Sequence, residues 1–154
     1  HRPANVDSVD NLEVIINEIG EAVRGLEVIF PVHPRTLKSI NSIKKIPKNF
    51  NFVDPLPYLE FNYLVKGSKA VITDSGGITE EATVMNIPCL TLRDTTERPE
   101  TVYDGTNELV GTDPRSIKPI LDKLFSNNWK TGRVPELWDG KTSDRLINII
   151  EDII

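Results

Sequence analysis

The fold of this 154-residue chain is decided by Ala70–Val102, which reads AVITDSGGITEEATVMNIPCLTLRDTTERPETV. An apolar run of strand character ends in Ser-Gly-Gly, and a helical pattern follows. A second apolar run then leads into a loop crowded with charges. Strand, helix and strand in this order predict an α/β unit with parallel strands.

The rest of the chain repeats this alternation. Apolar residues at steps of three and four predict helices over residues 9–26, 37–46, 58–68, 77–85, 114–125 and 143–154. Apolar runs predict strands over residues 26–32, 49–54, 70–74, 87–92 and 107–111. Pro119 should shorten or kink the helix that contains it. We therefore expect a Rossmann-like, largely parallel sheet with flanking helices.

Composition narrows the function classes. The net charge of -5 and the pI near 5.1 argue against bulk nucleic-acid binding, which needs a basic face, but still allow a local cationic pocket. No stretch is long and apolar enough for a membrane span, and the start lacks a signal-peptide core. The single cysteine, Cys89, predicts a small buried strand residue and a reducing, cytoplasmic compartment.

Ser75, Gly76 and Gly77 lie where a strand gives way to a helix. In open α/β sheets, ligands bind beyond the carboxyl ends of strands, and the free N–H groups of a helix start favour phosphate. Glycine lets a ligand approach the backbone and permits positive φ. The alternative is a tight turn in which Asp74 or Ser75 caps the helix.

Two glutamates follow on the same predicted helix and face different sides, because neighbouring positions differ by about 100°. A glutamate one turn below a phosphate is suited to accept hydrogen bonds from the hydroxyls of a ribose. The alternative is a solvated glutamate favoured by the helix dipole.

The charged loop RDTTERPE follows the next strand, so it emerges at the same edge of the sheet. An arginine there can fork onto phosphate oxygens, held in place by its acidic neighbours. Taken alone, the loop is better explained as a solvated charge run. Together, the two loops predict a site for a nucleoside diphosphate.

These residues also point to a family. DSGGITEEATVMNIPCLTLRDTTERPE resembles the C-terminal domain of the non-hydrolysing UDP-N-acetylglucosamine 2-epimerases. HRPANVD, FPVHPR and FVDPLPYLEFNYLVKGSKAVITDSGG fit the same family pattern in the same order. The resemblance covers nearly the whole chain, and we interpret residues 1–154 as one C-terminal nucleotide-sugar-binding domain.

The resemblance implies the C-terminal half of a glycosyltransferase-B-type fold. The implied reaction interconverts UDP-N-acetylglucosamine and UDP-N-acetylmannosamine by elimination of UDP and re-addition, with no metal or redox cofactor. It also implies a cytoplasmic enzyme of cell-surface polysaccharide biosynthesis that is a homodimer at full length.

The resemblance assigns residue roles. Ser75, Gly76 and Gly77 would bind the diphosphate and Glu81 the ribose. Arg98 would contact the phosphate-sugar region and Phe61 would lie beside the uracil. His1 matches the active-site histidine next to the leaving group. Arg2 and His33 resemble positions that contact a second, effector UDP-N-acetylglucosamine in some bacterial members.

The chain departs from the family pattern at two positions. Ala4 stands where a glutamate is usual, so the carboxylate that would support His1 locally is absent at this position. Leu56 replaces a polar residue beside the uracil, so a contact there must come from the backbone.

The family's acid/base carboxylates belong to an N-terminal domain that this sequence does not contain. We therefore expect this domain to be inactive alone. Two alternatives remain open: the nucleotide-binding half of a UDP-sugar glycosyltransferase, and a catalytically inactive UDP-sugar sensor.

The start of the chain carries a further expectation. In the family a strand runs directly into the His-Arg pair and lies in the middle of the sheet. That strand is missing here, so we expect a gap between the strands LEVIF and AVITD, filled by a segment outside this sequence.

Overall fold

The computed structural model describes residues 2–153. Its helices are α1 (Pro3–Val6), α2 (Val9–Ala22), α3 (Pro34–Ile40), α4 (Tyr58–Gly67), α5 (Gly76–Val84), α6 (Glu100–Tyr103), α7 (Ile117–Phe125) and α8 (Thr142–Glu151). Its strands are β1 (Val28–Pro31), β2 (Phe50–Val53), β3 (Val71–Thr73), β4 (Cys89–Thr91) and β5 (Asn107–Leu109). A 3-10 turn, Pro114–Ser116, leads into α7.

All strand pairs within these residues are parallel, but they form two sheets rather than one. β1 pairs with β2, and a second sheet has the order β3-β4-β5. The alternation of strands with helices confirms the predicted α/β class. β1 and β3 are not paired with each other and belong to different sheets.

Helix α2 joins the two sheets through its apolar stripe. Ser8 caps its start by accepting a hydrogen bond from the Asn11 N–H at 3.3 Å. The buried stripe packs in one core cluster with Phe50 of β2 and Leu90 of β4, and α2 also contacts α7. The stripe consists of Leu12, Ile15, Ile16 and Ile19. Burial of these side chains therefore holds β1–β2 and β3–β5 in one body.

Several element ends differ from the sequence prediction. Helix α2 ends at Ala22, before the predicted end, because Arg24 and Gly25 take positive φ values of 54° and 82°. Helix α3 starts at Pro34 rather than Leu37, since proline suits the first helical position and His33 caps it. It ends at Ile40, so the predicted extension to Ile46 is wrong.

The α-helix that contains Pro119 is shorter than predicted. The predicted helix 114–125 begins as a 3-10 turn, and α7 starts only at Ile117. Pro119 is then the third residue of α7, where its missing N–H would have no intrahelical partner anyway. The short helices α1 and α6 were not predicted, because four residues are too few to show a helical period.

Cys89 is fully buried in β4, which confirms the interpretation of a small strand residue. Burial raises the pKa of its thiol to about 12, so the thiol stays protonated at neutral pH.

The tail forms the predicted helix α8, but its apolar residues do not pack. Leu146, Ile147, Ile149 and Ile150 each remain more than half exposed. None of the helices in residues 2–153 combines the length and the apolar character that a bilayer crossing requires.

Candidate nucleotide-binding site

The two loops that the sequence singled out meet at one edge of the three-stranded sheet. Thr73 of β3 lies opposite Thr91 of β4, so the turn after β3 and the loop after β4 emerge side by side. A cleft opens beside them, between the segment around α1 and the residues that follow β4 and β5. Arg2, Asn5, Leu92, Arg93, Asp94, Thr95 and Thr112 line it.

The Ser-Gly-Gly turn places an open helix start at this edge. Ser75 is the residue before α5, but its side chain makes no capping hydrogen bond. A Cβ added to Gly77 would meet nothing within 4 Å. Neither Gly76 nor Gly77 has a positive φ. The glycines therefore leave room for a ligand rather than permit an unusual backbone.

Asp74 does not cap α5 either, because its carboxylate faces the segment around α1. Asp74 Oδ2 accepts hydrogen bonds from the Arg2 N–H at 2.9 Å and from Asn5 Nδ2 at 3.0 Å. Burial would raise the pKa of Asp74, but these hydrogen bonds outweigh it and the pKa is lowered. Asp74 is therefore ionised, and its carboxylate holds α1 beside the Ser-Gly-Gly turn.

The charged loop is ordered by two arginine–glutamate pairs. Arg93 donates a bidentate pair of hydrogen bonds to Glu97, with Nη1–Oε2 2.9 Å and Nη2–Oε1 2.7 Å. This contact lowers the pKa of Glu97 to about 2. Arg98 Nε lies 2.5 Å from Glu80 Oε1, and the pair raises the pKa of Arg98. The charged loop therefore carries two ion pairs, although Glu97 and Arg98 remain exposed to solvent.

The other proposed nucleotide contacts lie on α4 and α5. Glu81 is half-buried on α5, one residue beyond the Arg98 partner, and no group in residues 2–153 donates a hydrogen bond to its carboxylate. Phe61 is half-buried on α4, which packs against α5. Leu56 lines an apolar surface groove together with Leu59, Tyr63 and Leu64 of α4.

The residues that resemble effector contacts are placed differently from each other. Arg2 lies at the Ser-Gly-Gly turn, where its Nε is 3.3 Å from the Asp74 carbonyl oxygen. His33 lies after β1, in the other sheet, and its Nδ1 accepts a hydrogen bond from the Arg35 N–H. His1 lies outside the described residues.

Sequence reasoning missed three residues of the cleft. Asn5 bonds Asp74, and Thr112 follows β5 and donates its N–H to Asp94 at 3.1 Å. Neither position shows a pattern in the sequence. Arg93 could have been named as a site residue, because it is the first arginine after β4. The sequence of the charged loop, however, does not indicate whether Arg93 or Arg98 lines the cleft.

This geometry defines a class: the chain is a Rossmann-like α/β domain, one half of a glycosyltransferase-B-type fold, with an open helix start beside arginines at the carboxyl ends of its strands. The family model for UDP-N-acetylglucosamine 2-epimerase matches residues 1–151. The chain therefore belongs to the UDP-N-acetylglucosamine 2-epimerase family, and it corresponds to the C-terminal part of its relatives.

Individual relatives agree with this assignment. The UDP-N-acetylglucosamine 2-epimerases of Methanococcus maripaludis and Methanocaldococcus jannaschii are each 38% identical over 97% of this chain, which spans 42% of their length. The crystal structure of the M. jannaschii enzyme in complex with UDP-GlcNAc and UDP has a TM-score of 0.79 at 36% identity, covering 99% of this chain and 43% of that one. A Neisseria meningitidis enzyme bound to UDP-GlcNAc has a TM-score of 0.78 at 28% identity, with coverage of 99% and 43%.

Proposed function

We propose that this chain is the UDP-binding part of an isomerase that interconverts UDP-N-acetylglucosamine and UDP-N-acetylmannosamine. The uncapped start of α5, facing the arginines of the charged loop, is the observation that carries the proposal. The M. jannaschii relative, whose structure holds UDP-GlcNAc and UDP, supports it.

Each site residue has a role in this proposal. The N–H groups at Gly76 and Gly77 and the Ser75 hydroxyl donate to the diphosphate, because they lie at the positive end of the α5 dipole. Glu81 accepts hydrogen bonds from the ribose hydroxyls, since none of the residues that the structure describes donates a hydrogen bond to its carboxylate. Arg98 contacts the phosphate-sugar region, and Phe61 packs beside the uracil.

The contacts to UDP would stabilise the transition state of the proposed reaction. A base removes the proton at C2 as the bond from the sugar C1 to UDP breaks, which leaves a glycal with a C1–C2 double bond. A proton is then delivered to the opposite face of C2, and the UDP oxygen forms the bond to C1 again. Negative charge grows on the departing UDP, so donors aimed at its phosphates stabilise the transition state. His1 lies next to the leaving group in this proposal, and the carboxylates that move the C2 proton come from the N-terminal domain.

The wider setting is part of the proposal. The enzyme acts in the cytoplasm, in cell-surface polysaccharide biosynthesis, and is a homodimer at its native length. Arg2 and His33 contact an effector nucleotide sugar. The match to the epimerase family favours this function over a UDP-sugar glycosyltransferase.

Proton exchange tests the reaction. The protein at its native length, incubated with UDP-N-acetylglucosamine in D2O, should incorporate deuterium at C2 and release UDP-N-acetylmannosamine. Binding of UDP without deuterium incorporation would contradict the isomerase and favour the sensor.

A further inference from the structure

Arg93 is the best-anchored cation of the cleft. Its side chain is only 13% exposed, and both terminal nitrogens donate to the carboxylate of Glu97. Glu97 itself is 63% exposed and belongs to the loop that follows β4. The Arg93 side chain is therefore largely buried, whereas its partner Glu97 lies mostly in solvent and can move away without uncovering the core.

The Glu97 carboxylate stands in front of the Ser-Gly-Gly turn. A Cβ placed on Gly76 would lie 3.8 Å from Glu97 Oε2. Arg2 Nη2 lies 4.0 Å from Glu97 Oε1 on the side of the segment around α1. One anionic group thus already lies among Arg93, Arg2 and the first residue of α5.

A carboxylate and a phosphate present similar oxygen pairs to a guanidinium, and arginine binds both through the same two-pronged contact. A diphosphate at the start of α5 would bring negative charge against the Glu97 carboxylate. Like charges this close together repel, although solvent screens part of the repulsion because Glu97 is exposed. Both terminal nitrogens of Arg93 already donate to Glu97, so a phosphate that takes the same two donors must displace the carboxylate.

We propose that Glu97 is an internal counter-ion that occupies Arg93 until a phosphate of the ligand displaces it, and that Arg93 is a phosphate-binding residue of the site. This inference rests on the proposed function, because it takes the ligand to be a nucleoside diphosphate. Exchange of one anion for another keeps Arg93 paired in both states. The ligand therefore binds more weakly than it would bind to a site in which Arg93 had no counter-ion.

The test compares UDP, inorganic pyrophosphate and uridine as probes, by calorimetric titration of the protein at its native length. Glu97→Gln keeps the size of the side chain and removes its charge. Asp139→Asn is the matched control, because Asp139 accepts two hydrogen bonds from Arg145 at 3.0 Å outside the cleft and loses the same charge. Arg93→Met, alone and with Glu97→Gln, shows whether the effect passes through Arg93.

Glu97→Gln should tighten the binding of UDP and pyrophosphate about tenfold, the effect of one charge-assisted contact. Uridine binding should not change, and Asp139→Asn should leave all three probes unaffected. In the Arg93→Met background, Glu97→Gln should bring less than half of that gain.

UDP binding by Glu97→Gln that is equal to or weaker than that of the unaltered protein would refute the counter-ion role of Glu97. The proposed function would still stand in that case if the unaltered protein binds UDP. Tighter pyrophosphate binding without any UDP binding would sustain the counter-ion and refute the proposed function. If Glu97→Gln does not fold, the carboxyl carbon-13 resonance of Glu97 in the unaltered protein gives the answer. It should shift when pyrophosphate is added, and a resonance that stays in place refutes displacement.

Discussion

Arg98 and Glu80 form an ion pair, with 2.5 Å between Arg98 Nε and Glu80 Oε1, that ties the charged loop to helix α5. The pair uses the first of two adjacent glutamates. Because adjacent helical positions are about 100° apart, the second, Glu81, faces a different side of α5. Because Glu80 pairs with Arg98 and Glu81 does not, the Glu81 carboxylate is available to a ligand.

Glu81→Ala should weaken UDP binding by about 1–3 kcal/mol, since it removes a charged acceptor for the ribose hydroxyls. It should also abolish any preference for UDP over dUDP, which lacks one of those hydroxyls. Titrations of the variant with both nucleotides measure the two effects. Glu80→Ala is the matched control and should retain the preference. An unchanged UDP to dUDP ratio in Glu81→Ala would show that the ribose lies elsewhere.

Arg98→Ala should reduce affinity for UDP more than affinity for UMP, because the arginine contacts the phosphate-sugar region. The loss should be at most about 2 kcal/mol, since Arg98 must first leave Glu80. Arg133→Ala is a suitable control: Arg133 is also exposed and also pairs with a carboxylate at 2.5 Å, that of Asp104. Identical losses for UDP and UMP would argue against a phosphate contact that distinguishes them.

Most of the fold was predictable from the sequence, because its signals are local. The alternation of apolar runs with helical stripes indicated the parallel α/β arrangement, and Ser-Gly-Gly marked the start of α5 to within one residue. The ends of α2 and α3 were not predictable in the same way. Apolar side chains continue past the C-terminal ends of α2 and α3. The positive φ at Arg24 ends α2, and the cap at His33 sets where α3 starts.

The candidate site was predictable in outline only. Strand order brings the two loops together, and this follows from the parallel topology. Which arginine pairs with which glutamate does not follow, because Arg93 and Arg98 have equally charged neighbours in the sequence. The partnership of Asp74 with Asn5 joins positions 69 residues apart, so tertiary structure alone reveals it.

The lowered pKa of Asp74 predicts an acid-sensitive attachment of α1. The folded pKa lies below the unfolded value of 3.8, so the unfolded state binds more protons at acidic pH. The stabilisation is complete about one pH unit above the unfolded value of 3.8 and disappears as pH falls through the folded pKa. Asp74→Asn should lower the free energy of unfolding at pH 7 by about 1 kcal/mol, a modest value because the side chain is only half-buried.

Urea unfolding between pH 2 and pH 7 measures this contribution. The difference between Asp74→Asn and the unaltered protein should shrink towards the acid end. Asn5→Ala should remove part of the same stabilisation, so the double variant should lose less than the sum of the two single losses. A difference independent of pH would refute the role of the charge.

Lys130→Met should destabilise the protein by about 1–3 kcal/mol, because it leaves backbone carbonyls near the core without a donor. Lys130 Nζ donates to the Val102 oxygen at 2.6 Å and to the Asn107 oxygen, and so ties the segment after α7 to β5. Lys118→Met removes only an exposed contact to Asp122 and should change stability by less than about 0.5 kcal/mol. Equal effects in urea unfolding would contradict this difference.

The gap between β1 and β3 predicts a missing central strand. In a parallel pair, alternate N–H groups of a strand point to the same neighbour. Val28 donates its N–H to the Asn49 oxygen and Val71 donates to the Pro88 oxygen, both at 2.8 Å. The N–H groups of Ile29 and Ile72 therefore point away from β2 and β4. Ile29 is 49% exposed in this chain, so its unpaired N–H would cost about 1–3 kcal/mol only where further protein covers it.

We expect a segment outside this sequence to fill the gap in the protein at its native length. Amide hydrogen exchange should then be slow at Ile29 and Ile72 in that protein and fast in the isolated 154-residue chain. Val28 and Val71 are internal controls, because their N–H groups are bonded within the chain and should be protected in both. Fast exchange at Ile29 and Ile72 at both lengths, or a structure in which β1 pairs directly with β3, would show that no strand belongs there.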